Sequence, residues 1–114
     1  ASITDKDEQN ILEERYLTFK NAMQNNDYEL DLSDKEIQDL WNEIINTEEY
    51  EQAKVKGRSF EVDMWLRDDG TLRVSLKFRY GRYFTVMYTP DFEISEISII
   101  TDYDTMFPYM EKYQ

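Results

Sequence analysis

The residues of this sequence that could do acid–base chemistry are carboxylates, lysines and tyrosines, because the chain contains neither histidine nor cysteine. Glu61 and Asp63 come closest to a catalytic pair, since alternate residues of a strand share one face. The strand pairing predicted below puts Arg73 and Lys77 beside them, and neighbouring opposite charges favour ion pairs over proton transfer. The chain also has no glycine-rich phosphate loop, nucleophile elbow or zinc motif. The sequence therefore predicts a protein that is not an enzyme and uses no cofactor.

One stretch between two predicted helices has the alternating polar residues that begin a calcium-binding EF-hand loop. These residues are Asp27, Glu29, Asp31 and Ser33. The sixth loop position, where the sharp turn needs glycine, is Leu32, and the twelfth, which needs a bidentate glutamate, is Gln38. We therefore expect no metal site.

The carboxylate pair lies in the first of two runs in which apolar residues occupy every second position, the pattern of half-buried strands. The runs are Phe60, Val62, Met64 and Leu66, then Leu72, Val74, Leu76 and Phe78. Asp68-Asp69-Gly70 separates them, and a two-residue loop there would put apolar side chains opposite charged ones. A three-residue loop with Gly70 in the left-handed region instead pairs Leu66 with Leu72 and Phe60 with Phe78.

Two further strands follow in the sequence. The same alternation of apolar residues places a hairpin at residues 79–81 and brings Leu76 near Phe84. The third strand ends before Pro90, because proline cannot donate a hydrogen bond to a neighbouring strand. In the fourth strand the apolar residues change from even-numbered positions, at Ile94, to odd-numbered positions, at Ile97. This change predicts a bulge near Ser95-Glu96. The sequence thus predicts a curved four-stranded antiparallel meander.

Apolar residues at helical spacing predict a first helix from about Asp5 to Gln24. A short C-terminal helix is expected within residues 105–113, because Pro108 fits the first turn of a helix. At 114 residues the chain has room for one hydrophobic core. The prediction is a single α+β domain spanning residues 1–114, with two N-terminal helices packed on the sheet and a short C-terminal helix.

A second helix has a well-marked start in the sequence. Ser33 and Glu36 form a capping box, in which each side chain satisfies the backbone N–H of the other residue. An apolar stripe from Ile37 to Ile45 follows and is expected to face the core. The helix is expected to fray or restart at Asn46-Thr47.

The sheet face that points away from these helices has an unusual composition. Its candidate partner-binding residues are Glu61, Asp63, Trp65, Arg67, Arg73, Lys77 and Tyr83. The predicted register puts Trp65 opposite Arg73 and Glu61 opposite Lys77. One interpretation is a solvated face stabilised by a cation–π contact and an ion pair. The other is a protein-binding surface, because tryptophan, arginine and tyrosine are enriched in binding hot spots.

Acidic residues are concentrated in the helices of a chain whose net charge is −12. Residues 1–53 contain 15 acidic and 4 basic side chains, whereas residues 54–82 contain 4 and 8. The acidic helices give an alternative binding surface, represented by Asp34, Glu36, Asp39 and Glu43. Such runs usually keep a small protein soluble, but they also fit a basic partner such as a toxin or a nuclease.

These features favour a small acidic protein that inhibits a partner by occupying its surface, such as an immunity protein neutralising an antibacterial toxin. Alternatives are a nucleic-acid mimic of the anti-restriction or anti-CRISPR type and a ligand-binding domain. Direct nucleic-acid binding is not expected, because the net charge of −12 repels phosphate. An open sheet face or edge also leaves a homodimer possible.

The sequence sets few limits on the compartment. No apolar run approaches the roughly 18 residues of a membrane span, and no signal-peptide pattern is present, so we expect a soluble chain without membrane insertion. The start at Ala1 fits removal of an initiator methionine or trimming of an exported precursor. Localisation therefore stays open between the cytoplasm and an exported form.

Overall fold

The computed structural model describes residues 5–54, 60–78 and 83–100. Its elements in chain order are α1 (Asp5–Gln24), α2 (Asp34–Ile45), α3 (Glu48–Ala53), β1 (Phe60–Leu66), β2 (Leu72–Phe78), β3 (Tyr83–Tyr88) and β4 (Ile94–Ile100). The predicted α+β class, with N-terminal helices followed by an antiparallel sheet, is confirmed. The predicted C-terminal helix and the turn at residues 79–81 lie outside the described residues.

The sheet has the order β1-β2-β3-β4, with each strand antiparallel to its neighbour. Leu66 pairs with Leu72, and Leu76 pairs with Phe84, so the predicted register is confirmed in both hairpins. Gly70 has φ +88°, the left-handed conformation that the three-residue loop requires. A side chain at Gly70 would also approach Pro90 to 3.1 Å, because the β1–β2 and β3–β4 turns lie together at one end of the sheet.

The predicted bulge in β4 is present. Met87 pairs with Glu96, whereas the next residue of β3, Tyr88, pairs with Ile94, which leaves Ser95 as the extra residue. The Ser95 hydroxyl donates to the carbonyl oxygen of Met87 at 3.2 Å. The bulge restores the alternation, so that Ile94 and Ile97 both face the helices although their parity differs.

Side-chain caps define the start of two helices. The Ser33 hydroxyl accepts a hydrogen bond from the backbone N–H of Glu36 at 3.2 Å, and the Glu36 carboxylate accepts one from the Ser33 N–H at 3.1 Å. The hydrogen bond from the Ser33 N–H to the carboxylate, with a smaller contribution from the Ser33 side chain, lowers the pKa of Glu36. Thr47 caps α3 by accepting from the Tyr50 N–H at 3.1 Å, so the predicted restart of the helix is confirmed.

The core lies between the three helices and one face of the sheet. Trp41 of α2 is at its centre, with ring-centroid distances of 5.3 Å to Phe19, 6.0 Å to Tyr50 and 6.0 Å to Phe60. The inward-facing residues of the two central strands are almost completely buried. They are Leu72, Val74, Leu76, Phe78, Phe84, Val86 and Tyr88.

Tyr88 is the exception in this apolar layer, because its hydroxyl is buried. Within the described residues this oxygen has no hydrogen-bond partner, and the side chain is fully buried. Burial, together with the nearby negative charge of Glu43, raises the pKa of Tyr88.

Replacing Tyr88 by phenylalanine is expected to raise the free energy of unfolding by about 1 kcal/mol, because it removes a buried hydroxyl without a partner. The gain should increase above about pH 10, where the unfolded tyrosine loses its proton and the folded one keeps it. The parent then loses up to about 1.4 kcal/mol per pH unit from this group. Urea unfolding of both proteins at neutral and alkaline pH measures the difference. A less stable variant at neutral pH would mean that the hydroxyl has a partner.

Candidate protein-interaction face

The sheet face that points away from the helices is called the outer face here. Its described side chains are Glu61, Asp63, Trp65, Arg73, Ser75, Lys77, Thr85, Met87, Glu96 and Ser98. Arg67 directly follows β1 and is exposed. The backbone of Tyr83 pairs with Lys77, but its side chain lies outside the described part of the structure.

Trp65 and Arg73 form the most distinctive contact of the outer face. They are register partners on β1 and β2, and the guanidinium carbon of Arg73 lies 5.1 Å from the centroid of the Trp65 ring. Trp65 nevertheless remains 55% exposed. The cation–π contact restricts the indole on a paired strand while most of its surface stays in water. The structure thus brings these two predicted site residues together.

Lys77 and Asp63 form an ion pair on the same face, with 2.5 Å between Nζ and Oδ2. The predicted pairing of Glu61 with Lys77 is correct for the backbone register. The short ion pair, however, joins Lys77 to the diagonal neighbour Asp63. Both side chains are substantially exposed, so the pair contributes about 1 kcal/mol or less to stability. The pair joins β1 to β2 on the outer face, two residues along β1 from Trp65.

A row of short side chains crosses the sheet next to the row that contains Trp65 and Arg73. Asp63, Ser75 and Thr85 are successive register partners on β1, β2 and β3, and Ser98 continues the row on β4. Ser75 is only 4% exposed, although it faces outward, because its neighbours are longer. Ser75, Thr85 and Ser98 therefore form a shallow polar trough, with Asp63 at its exposed end.

Sequence reasoning did not include Glu96 and Ser98 among the candidate residues of the outer face. Their signal was available, because the predicted bulge turns Ile97 inward and so turns the residues on either side of it outward. Glu96 lies in the row of Trp65, Arg73 and Met87, at the β4 edge of the sheet.

Arg73 and Arg67 differ in their partners from four of the five described lysines, the exception being Lys6. Lys20, Lys35, Lys54 and Lys77 each contact a carboxylate, at 3.6, 3.1, 2.9 and 2.5 Å. Neither arginine makes an ion pair with any residue in the described ranges 5–54, 60–78 and 83–100. Arg67 lies near Asp69, whose pKa is lowered by hydrogen bonds from Thr71 and further by this charge.

The four candidate residues of the acidic helices occupy the exposed side of α2, and three of them have partners inside the protein. Asp34 accepts a hydrogen bond from Gln24 and contacts Lys20, which joins α2 to α1. Glu36 belongs to the capping box, and Asp39 pairs with Lys35. The fourth, Glu43, lies close enough to Tyr88 to raise its pKa. The sequence had suggested carboxylates available to a partner, but most of these stabilise α2.

The fold and this face define an α+β protein whose sheet presents an exposed tryptophan–arginine pair. Comparisons with protein-family models, curated proteins and solved structures find no match for the chain. None of the described helices is long and apolar enough to cross a membrane. In the described part of the chain, no three acidic side chains are grouped so that they could hold a metal ion. Function must therefore be argued from the outer face itself.

Proposed function

We propose that this protein binds a protein partner through the outer face and inhibits it by occupying its surface. An immunity protein that neutralises an antibacterial toxin is the form of inhibitor that we favour. The single observation that supports the proposal is the exposure of Trp65, 55%, in contact with Arg73. Tryptophan and arginine are the residue types most enriched among those that dominate binding energy.

The position of Trp65 adds to this argument. A side chain on a hydrogen-bonded strand, restricted by a cation–π contact, loses little conformational entropy when a partner covers it. The indole still has more than half of its surface to bury, and burial of an aromatic ring is among the largest contributions a single side chain makes to an interface. The polar trough and the Lys77–Asp63 pair beside it correspond to the polar rim that surrounds such anchors.

The alternative surface on α2 is less favoured. Engagement by a basic partner or a nucleic-acid-binding enzyme would require carboxylates that are free to form new ion pairs. Asp34, Glu36 and Asp39 already take part in contacts that stabilise α2. The nucleic-acid-mimic alternative depends on these same residues, and it therefore stands second.

The proposal is tested by capture of the partner with matched tryptophan and leucine variants. Trp65→Ala is expected to reduce partner affinity about 30-fold or more, which corresponds to about 2 kcal/mol. Leu17 of α1 is 61% exposed and lies on a different surface, so Leu17→Ala is the matched control and should bind like the parent. Tagged proteins are incubated with lysate of the source organism, and bound proteins are quantified by mass spectrometry.

A partner bound equally by the parent and by Trp65→Ala would contradict the proposal. Loss of that partner from an Asp39→Asn, Glu43→Gln variant would then assign binding to α2. Inhibition is measured on the purified partner, whose activity the parent should suppress and Trp65→Ala should not.

A further inference from the structure

We propose that the segment of the partner that contacts the outer face is acidic, with a carboxylate that binds Arg73 and Arg67 next to the apolar group that covers Trp65. This inference rests on the proposed function and names the chemistry of the partner. It reverses the expectation from net charge, which would match this protein of charge −12 with a basic surface.

Ion pairs are unevenly distributed among the described basic residues. The chain has 25 acidic and 13 basic residues, so carboxylates are in excess. Four of the five described lysines, at positions 20, 35, 54 and 77, each contact one of these carboxylates, whereas Lys6 of α1 makes no such contact within the described ranges. Arg67 and Arg73 make no ion pair among the described residues. Arg73 contacts Trp65, and Arg67 follows Trp65 by two residues at the end of β1, where the charge of Asp69 is nearby. A carboxylate of another protein would supply the ion pair that the described residues do not provide to these arginines.

The contact of Arg73 with Trp65 does not use the hydrogen-bond donors of the arginine. A guanidinium group binds an aromatic ring through its flat face and binds a carboxylate through N–H groups that point outward in its plane. The contact with Trp65, at 5.1 Å from the guanidinium carbon to the ring centroid, uses no hydrogen bond, so the N–H groups of Arg73 are able to bind a carboxylate with two hydrogen bonds.

Arg73 has an apolar neighbour on each adjacent strand. Its side chain is half-buried, with Trp65 as register partner on one side and Met87 on the other. Apolar neighbours reduce the screening of charge by water and strengthen an ion pair formed between them. A partner that covered Trp65 would exclude more water, so apolar contact and ion pair support each other. A basic partner segment would instead bring its cations against two arginines.

Nucleic-acid phosphate would also match the two arginines, but the outer face is less suited to it. A continuous polyanion would be repelled by the net charge of −12 over the whole molecule. An acidic protein segment presents only a few charges, and its backbone can form hydrogen bonds with the serine and threonine hydroxyls of the trough. The observations therefore favour a carboxylate-bearing peptide segment.

Display of a random peptide library on phage tests the inference without knowledge of the partner. Peptides are selected on the parent protein and depleted on Trp65→Ala, so that only binders that need the tryptophan remain. These peptides are expected to be enriched in aspartate or glutamate next to a large apolar residue. Selected peptides, synthesised with a fluorophore, are then titrated by fluorescence polarisation against the parent and its charge variants.

Arg73→Glu is expected to weaken these peptides about tenfold or more, because it removes a charge-assisted hydrogen-bond donor and adds a repulsive charge. Lys35→Glu is the matched control, since it makes the same change of charge at an exposed position on α2, and it should bind like the parent. Arg73→Lys should be intermediate, because lysine keeps the charge and loses the planar donor group.

The outcomes separate the two proposals. Peptides that need Trp65 but lack acidic residues, or that bind Arg73→Glu as tightly as the parent, would overturn the acidic-segment inference and leave the outer face as a binding site. Failure to recover any peptide that needs Trp65 would overturn both. Tighter binding of labelled single-stranded DNA than of the acidic peptides, with the same dependence on Arg73, would replace the peptide partner with nucleic acid.

Discussion

Replacing Trp41 by alanine is expected to lower the free energy of unfolding by about 4 kcal/mol, the typical cost of truncating a large aromatic side chain in a core. Trp41 is 3% exposed, and its ring contacts aromatic residues from α1, α3 and β1. Its removal would leave a cavity at the point where these elements meet. A loss of this size is a large part of the 5–15 kcal/mol that stabilises a typical small protein.

Trp65→Ala provides the matched control for this prediction, because the same truncation is made at an exposed site. Its expected cost is about 1 kcal/mol or less, from the lost contact with Arg73. Chemical denaturation followed by far-ultraviolet circular dichroism measures both variants without relying on tryptophan fluorescence. If the two substitutions had equal effects on stability, the assignment of one tryptophan to the core and the other to the surface would be wrong.

Replacing Arg15 by alanine is expected to cost about 3 kcal/mol, because this arginine is part of the core. It is 5% exposed, its guanidinium carbon lies 5.0 Å from the centroid of the Phe78 ring, and Nη1 donates to the Tyr50 hydroxyl at 3.0 Å. Alanine would leave a cavity against Phe78 and deprive the buried hydroxyl of this donor.

A double variant separates packing from polarity at this site. Arg15→Met with Tyr50→Phe keeps much of the volume and removes both polar groups, an exchange that is close to neutral in many cores. Its free energy of unfolding should lie within about 1 kcal/mol of the parent. If Arg15→Ala alone cost less than about 0.5 kcal/mol, the arginine would behave as a surface residue, which would contradict its burial.

These variants also distinguish folding from binding. The aromatic cluster around Trp41 lies on the helix side of the sheet, whereas Trp65 lies on the outer face. The backbone pairing of β1 and β2 separates the two. Loss of function in Trp65→Ala with a retained unfolding midpoint would therefore report on the partner contact and not on the fold.

Much of the fold was predictable because its signals are local. The alternation of apolar residues in β1 and β2 allows only one register that buries one face, and Gly70 fixes the loop length that produces it. Ser33 and Glu36 determine where α2 begins by hydrogen bonds across a single turn. Even the bulge at Ser95 followed from a change of parity within one strand.

Part of the candidate site was predictable for the same reason. Opposite positions in an antiparallel register are neighbours, so the contact of Trp65 with Arg73 followed from the strand pairing. Arg15 was not recognised as buried, although its spacing to Phe19 places both on the apolar face of α1. A charged residue on an apolar face reads as solvent-exposed until an aromatic pocket and a hydroxyl acceptor are seen around it.

The sequence by itself thus determined the class of the fold, the register of the described strands and the face on which Trp65 lies. Tertiary structure decided which charges have partners: Lys77 contacts Asp63 across a diagonal, and Asp34 joins α2 to α1 through Lys20. The physical reason is one of range. Strand and helix periodicity depends on neighbours along the chain, whereas the partner of a long charged side chain depends on distances between elements that only the folded arrangement sets.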